Sequence, residues 1–398
     1  MKMKMKRAFG WSGRLQWFAL TVGVLMLIPS LLWAQTVKIG MVFPLSGGIA
    51  ESASWGIEGT KMAVEEINDK GGIPIQGKNY KVELVLYDSK GDPTTGVAAV
   101  EKLINRDQVV AIAGDYCSSA VLAEREVSGR NKIVHVTGYS IHPKITAPGY
   151  PYMFRICSTI DMYAAPFVDF VAKKLPAVKR VGIIAVTDDY GRGEVEIYTN
   201  LYQKNGINVV AAEYFKHGDK DFYTQLTKIK AANPDAIYIV TDEDSQNIGV
   251  LKQVRELGFK GHIFGCSTYV TGNILKLGGK ELLEGMYTEG VDFEFYKDKP
   301  AVKEFRNRYF AKYKREANGF STPGYRHIML IADALKRANT LTDMEKIRDA
   351  MASTNLSSVL LGYSGSNFNS VNQIVPALGV LQYKDGKVIV VYDESKEK

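Results

Sequence analysis

The chain has 398 residues, 46% of them hydrophobic, and 50 Lys and Arg stand against 43 Asp and Glu for a formal net charge of +7. Most of that excess sits in one place: Lys2, Lys4, Lys6, Arg7 and Arg14 flank an uncharged, mostly apolar run from Trp17 to Leu32 that leads to Ala34. Without these five, 45 basic residues face 43 acidic ones, a net charge of +2, and a chain so balanced lacks the basic stripe of a nucleic-acid binder.

A basic head, an apolar core and a small residue at the end read as a secretory signal peptide over residues 1–34, which places the mature protein in the periplasm. An uncleaved anchor is the competing reading, but the run is shorter than the roughly 20 residues a spanning helix needs. The roughly 360 residues that follow exceed what one hydrophobic core usually supports, so two domains are expected.

From Thr36 onward, short β-branched runs alternate with longer amphipathic ones, the rhythm of βα units around a parallel sheet. Strands are expected at 37–43, 80–88, 108–114 and 132–137, with helices over 54–70 and 93–105, the second opened by Pro93. The rhythm restarts at 179–189 and continues through 207–215, 234–240 and 261–267; helical patterns follow at 302–315 and 325–338. The segment 376–393 reads as a hairpin turning at Lys-Asp-Gly. Two such blocks predict two α/β lobes. No Ser/Gly-rich tether separates them, so the crossings between them are expected to be short and to act as a hinge.

In open parallel sheets, ligands bind beyond the carboxyl ends of the strands. The segments at those ends are PLSGG, DYCSS (115–119), GYSIHP (138–143), TDDYGRG, TDEDS (241–245) and GCSTY. They are rich in hydroxyl, aromatic and acidic side chains. Ser118 and Ser119 open a helix whose free N–H groups suit a carboxylate; capping that helix is their alternative role. Tyr190, beside Gly191 and Gly193, suits a pocket wall or a packed turn. Asp161, Asp242, Glu243 and Asp244 are candidates for a cationic group on a ligand, or are solvated acids.

Catalysis by Cys117 or Ser118 with His142 needs a base within reach and a group to orient it, and no G-x-S-x-G motif is present. Three cysteines and five scattered histidines give no metal site at ligand spacing, and no cofactor motif is found. Any metal constellation would have to be assembled by the fold.

The stretches KIGMVFPLSGGIA, GIEGTKMAVEEINDKGG, AGDYCSS, DDYGRG and DFYTQLTKIKAANPDAIYIV resemble the periplasmic solute-binding proteins of branched-chain amino acid ABC transporters. The resemblance spans nearly the whole mature chain. It implies a type I periplasmic binding protein fold: two doubly wound parallel-sheet lobes with a hinge of three crossings, and a ligand trapped between them for an ABC permease and its ATPase subunits. The implied lobes are 35–156 plus 287–355 and 157–286 plus 356–398. Ser118 matches the family's carboxylate-holding serine, Tyr116 a neighbouring wall position and Tyr190 the second-lobe tyrosine.

The departures bear on specificity. Tyr139, Ser140 and Ile141 stand where amino-acid binders have a small residue and a threonine hydroxyl. Ile160, with Asp161 next to it, and Ser267 stand where acids are expected. Cys117 matches a family cysteine whose disulfide partner would lie near Gly91. The expected function is therefore non-enzymatic binding of a carboxylate-bearing solute, an amino acid first. An aromatic or short organic acid or an amide without an amino group is the alternative, and an α/β hydrolase using Cys117 or Ser118 a second. A sensor lobe signalling through a separate partner is a further possibility.

Overall fold

The computed structural model describes residues 35–270, 273–363, 365–376 and 378–396, so the expected leader at 1–34 lies outside the described residues. The first strand already shows why the fold is layered. β1 (Gln35–Phe43) is buried at every residue from Ile39 to Phe43, so both of its faces must be covered.

Six strands form the first sheet in the order β2-β3-β1-β4-β5-β6. These are β1, β2 (Ile73–Ile75), β3 (Lys78–Asp88), β4 (Ala111–Gly114), β5 (Val134–Thr137) and β6 (Met153–Arg155). β1, β4, β5 and β6 pair in parallel, with Ile39 opposite Ala111 and Ala111 opposite Val134. Helices Ala50–Asp69, Pro93–Asn105 and Ser118–Arg130 connect them.

Seven strands form the second sheet in the order β13-β12-β11-β10-β9-β7-β8. They are β7 (Arg180–Val186), β8 (Asn208–Phe215), β9 (Ala236–Val240), β10 (His262–Gly265), β11 (Tyr287–Gly290), β12 (Gly379–Lys384) and β13 (Lys387–Asp393). β7 to β11 run parallel, whereas β12 and β13 add antiparallel. The expected hairpin is β12–β13, turning at Asp385 (φ 51°) and Gly386 (φ 71°). Positive φ at both central residues is what a two-residue hairpin matched to strand twist requires. Among the described residues, no helix is long and apolar enough to cross a membrane.

Each sheet has its own core. Phe167, Tyr198, Tyr238 and Phe264 pack as rings in the second, with Tyr198 and Tyr238 centroids 4.4 Å apart. Trp55, Phe154, Tyr309 and Ile331 belong to the first. Burying each such side chain contributes about 1.5–3 kcal/mol.

The chain passes between lobes three times, and two of the expected boundaries move. β11, expected to open the first lobe's return at 287, pairs with β10 and β12, so the chain leaves the second sheet only after Gly290. Leu356, Leu360, Tyr363 and Ile374, expected in the second lobe, pack into the first core, so the last crossing follows Ile374. The first crossing falls between Ile156, in the first core, and Cys157, packed against the second. It runs beside the third: Arg155 N–H donates to the Asn372 carbonyl at 3.0 Å, and Ile374 N–H donates to the Arg155 carbonyl at 3.3 Å.

Candidate functional site

Strand order reverses direction about β1 and β4 in one sheet and about β7 and β9 in the other. At such switch points the connections leave on opposite faces and open a crevice. Beyond β4 lie Tyr116 to Ser119, beyond β7 Asp188 to Tyr190, and beyond β9 Asp242 to Asp244. The loops meet across the lobes: Cys117 Sγ lies 3.9 Å from Asp242 Oδ2, and a Cβ on Gly48 would stand 2.5 Å from Glu243 Oε2.

A cavity of about 30 Å³ lies there, lined by Tyr116, Ser118, Tyr139, Ile141, Tyr190, Asp242, Ser267, Thr268 and Phe320. One wall is a stack of rings. Tyr116 and Tyr139 have centroids 5.5 Å apart at 24°, and Phe320 lies 6.0 Å and 6.4 Å from them. The Tyr139 hydroxyl donates to the Phe320 carbonyl at 2.9 Å, fixing that ring. Two residues after Tyr116 comes the N-terminus of Ser118–Arg130, which has no side-chain cap, so its partial positive charge is not masked. Ser118 Oγ accepts the His142 N–H at 3.3 Å. The buried Tyr116 hydroxyl has no hydrogen-bond partner.

Asp242 closes the floor at 5% exposure. Burial raises its carboxyl to about 7, against the pull of His217. His217 is itself ringed by acids: Nδ1 lies 3.1 Å from Glu243 Oε1 and 3.6 Å from Asp242 Oδ1, and Nε2 lies 3.3 Å from Asp188 Oδ2. Partial burial opposes its charge, yet these carboxylates hold the imidazolium up to about 11. This cluster borders a larger cleft of about 520 Å³ that Gly48, Asp92, Ser119, Asp188, His217 and Glu243 help to line.

The family model for a periplasmic binding protein matches residues 36–387. The chain belongs to the periplasmic binding protein family. This binding protein is 30% identical over 291 residues to the amino acid binding protein of Pseudomonas aeruginosa, covering 73% of this chain and 74% of that one. It is 26% identical over 318 residues to the leucine-, isoleucine-, valine-, threonine- and alanine-binding protein of the same organism, covering 80% and 82%. The crystal structure of a leucine-binding protein from Thermotoga maritima superposes with a TM-score of 0.81 at 27% identity, over 91% of this chain and all of that one. The binding protein is thus the extracytoplasmic solute-binding component of an ABC importer, trapping a small ligand between two lobes rather than turning it over.

The cavity gathers Tyr116, Ser118, Tyr139, Tyr190, Asp242 and Ser267 from the sequence-based candidates. Ser119 lines the larger cleft instead. Ser140 is buried, its hydroxyl donating to the Asp115 and Tyr116 carbonyls at 3.0 Å, so it braces the loop and is not a cavity residue. Asp161 is exposed in the first turn of helix Ile160–Lys174 and lines neither cavity, because the N-cap is Thr159 and the acid falls on the solvent face.

Sequence reasoning missed Thr268, Phe320 and His217. Thr268 was within reach, being part of the GCSTY strand end. Phe320 comes from the loop before helix Ser321–Ala338, where no strand-end pattern points to it.

The geometry gives the hydrolase reading no support. Burial, then Asp242, pushes the Cys117 thiol well above its ordinary value, which removes the thiolate a nucleophile needs. The His142 ring spends Nδ1 on the Lys144 N–H at 3.3 Å, and its contact with Ser118 is through the backbone.

Proposed function

We propose that the solute is an apolar or aromatic amino acid, delivered to the permease and ATPase subunits of an importer at the inner membrane. The signal peptide over residues 1–34 carries the protein to the periplasm. In this reading the solute carboxylate sits at the uncapped N-terminus of Ser118–Arg130, with the Ser118 hydroxyl and the unpartnered Tyr116 hydroxyl. The ammonium sits against Asp242, and the side chain against Tyr139, Ile141 and Phe320. The observation that carries it is the buried Asp242 carboxylate on the floor of the same cavity as that helix end. It offers the amine a partner even though Ser267 stands where the family acid is expected. Names of the relatives that bind leucine, isoleucine and valine point the same way.

A second reading is an aromatic or short organic acid without an amine. The ring stack favours it, since three aromatic rings along one wall give a flat acid its contacts without an amine.

Calorimetry on the leader-free chain separates the two. Leucine and phenylalanine are expected to bind, and their des-amino analogues at least ten-fold more weakly; Asp242→Asn is expected to erase the difference. Equal or tighter binding of the des-amino acids selects the second reading, and silence from both series rejects both.

A further inference from the structure

Asp188 and His217 take no part in the proposed solute site, and Asp242 stands between that site and them. Asp188, His217 and Asp242 come from three separate strand ends of the second lobe, after β7, β8 and β9, and one ligand atom from each lies within 4.8 Å of the others. We infer that this cluster is a binding site for one divalent transition-metal ion of the zinc class.

The donor set is one imidazole and two carboxylates, which suits zinc and leaves a fourth position open to water. Asp188 is the N-cap of helix Asp189–Lys204 and uses Oδ1 to accept the Gly191 N–H at 2.8 Å. Its Oδ2 is left facing His217 Nε2 at 3.3 Å. That separation matches the roughly 3.3 Å between neighbouring donors around a tetrahedral ion with bonds near 2.0–2.1 Å. On the other edge of the ring, Nδ1 lies 3.1 Å from Glu243 Oε1. A metal on Nε2 displaces the proton held there into solvent, and the remaining Nδ1–H donates to Glu243, the outer-shell carboxylate that orients a metal-binding histidine.

A second observation is independent of the clustering. Asp242 is 5% exposed, and its Oδ1 accepts no hydrogen bond. The nearest positive group, His217 Nδ1 at 3.6 Å, is already 3.1 Å from Glu243. A buried oxygen left in this way is costly without a cation. Access is open, because Asp188, His217 and Glu243 line the cleft of about 520 Å³. Lys90 and Arg192 line it too, with Arg192 donating to the Thr187 hydroxyl at 2.9 Å.

The test is a calorimetric titration of zinc chloride into tag-free protein, dialysed against chelator and free of solute. The expected result is one ion per chain, released by EDTA, and a rise in the thermal midpoint. His217→Ala and Asp188→Asn are each expected to weaken binding at least about ten-fold. Asn keeps the helix cap, and Asp188 lies outside the solute cavity, so that variant reads the metal site alone. No heat and no midpoint shift in the wild-type chain, or undiminished zinc binding in either folded variant, overturns the inference. Because solute is absent throughout, neither result depends on which ligand the neighbouring cavity takes.

Discussion

A Cβ placed on Gly91 would stand 2.9 Å from the Cys117 sulfur and 4.0 Å from the Cys117 Cβ. The second distance lies within the range that disulfides span, so the missing partner implied by the resemblance is missing only as a side chain. Gly91→Cys is expected to form a disulfide with Cys117 on air oxidation, seen as a loss of two mass units and of one alkylatable thiol pair. Free thiols at both positions in the folded, oxidised protein would contradict it. The φ of +71° at this position costs a non-glycine residue something, so the gain in stability is expected to be smaller than an unstrained bridge of that loop would give. Ser118 offers a second test at this scale. Its hydroxyl and the helix end share the solute carboxylate in the proposed site, and a hydrogen bond to a charged group contributes about 1.5–3 kcal/mol. Ser118→Ala is therefore expected to weaken solute binding roughly ten- to a hundred-fold, while the urea midpoint stays close to that of the parent. Unchanged affinity would move the carboxylate elsewhere.

Arg155 ties the elements at the hinge. It is 1% exposed, and burial lowers its guanidinium to about 10. It donates to the His142 carbonyl at 2.7 Å, the Thr146 hydroxyl at 2.9 Å and the Gln373 side chain. Gln373 in turn donates to the Cys157 carbonyl at 2.6 Å. Removing the guanidinium leaves buried acceptors without donors, at about 1–3 kcal/mol each. Arg155→Met is expected to lower unfolding free energy by about 3–5 kcal/mol in urea titrations, and a loss under about 1 kcal/mol would show that water replaces it. Nothing in the sequence marked this role. β2 and β6 are three residues long and β11 four, and the crossings carry no linker composition, which is why strand-by-strand reading located β1, β3, β4, β5, β7, β8, β9, β10 and the β12–β13 hairpin but not β2, β6 or β11. Apolar runs report burial, whereas the sheet that a short strand joins is decided by contacts far along the chain. The site was legible to the same extent. Most residues just after strands were found; His217 was passed over although it follows β8 by two residues, and Phe320, brought in by packing, carried no strand-end signal.

Across the whole molecule, each lobe keeps a pair of buried carboxylates behind its binding loop. Burial raises Asp115 to about 6 and, together with Asp115, lifts Glu124 well above its ordinary value. In the second lobe, burial raises Glu289 to about 7, and burial with Glu289 lifts Glu194. Glu289 accepts the Ser267 N–H at 2.8 Å and so supports the cavity floor. A carboxyl whose folded pKa is raised contributes stability that is fully present below about pH 4.5 and is lost as pH climbs through about 7. His135 and His327, lowered by burial to about 4 and about 3, act the other way: stability falls as pH drops below about 6.5. The two trends oppose each other in the parent protein. Comparison with Glu289→Gln isolates one of them, and between pH 5 and 7.5 the parent is expected to lose stability relative to the variant. Parallel curves in urea titrations would show that Glu289 is ionised throughout.

Closure of the two lobes on a small solute is the claim on which the rest stands, and the approach of Gly48 to Glu243 and of Cys117 to Asp242 is its structural trace. Small-angle scattering from the leader-free chain, with and without a saturating amino acid that calorimetry shows to bind, measures closure directly. A smaller radius of gyration with solute is predicted, and Gly48→Val, whose side chain meets the Glu243 carboxylate, is predicted to blunt the change. The same radius with and without bound solute in the parent chain would contradict the account.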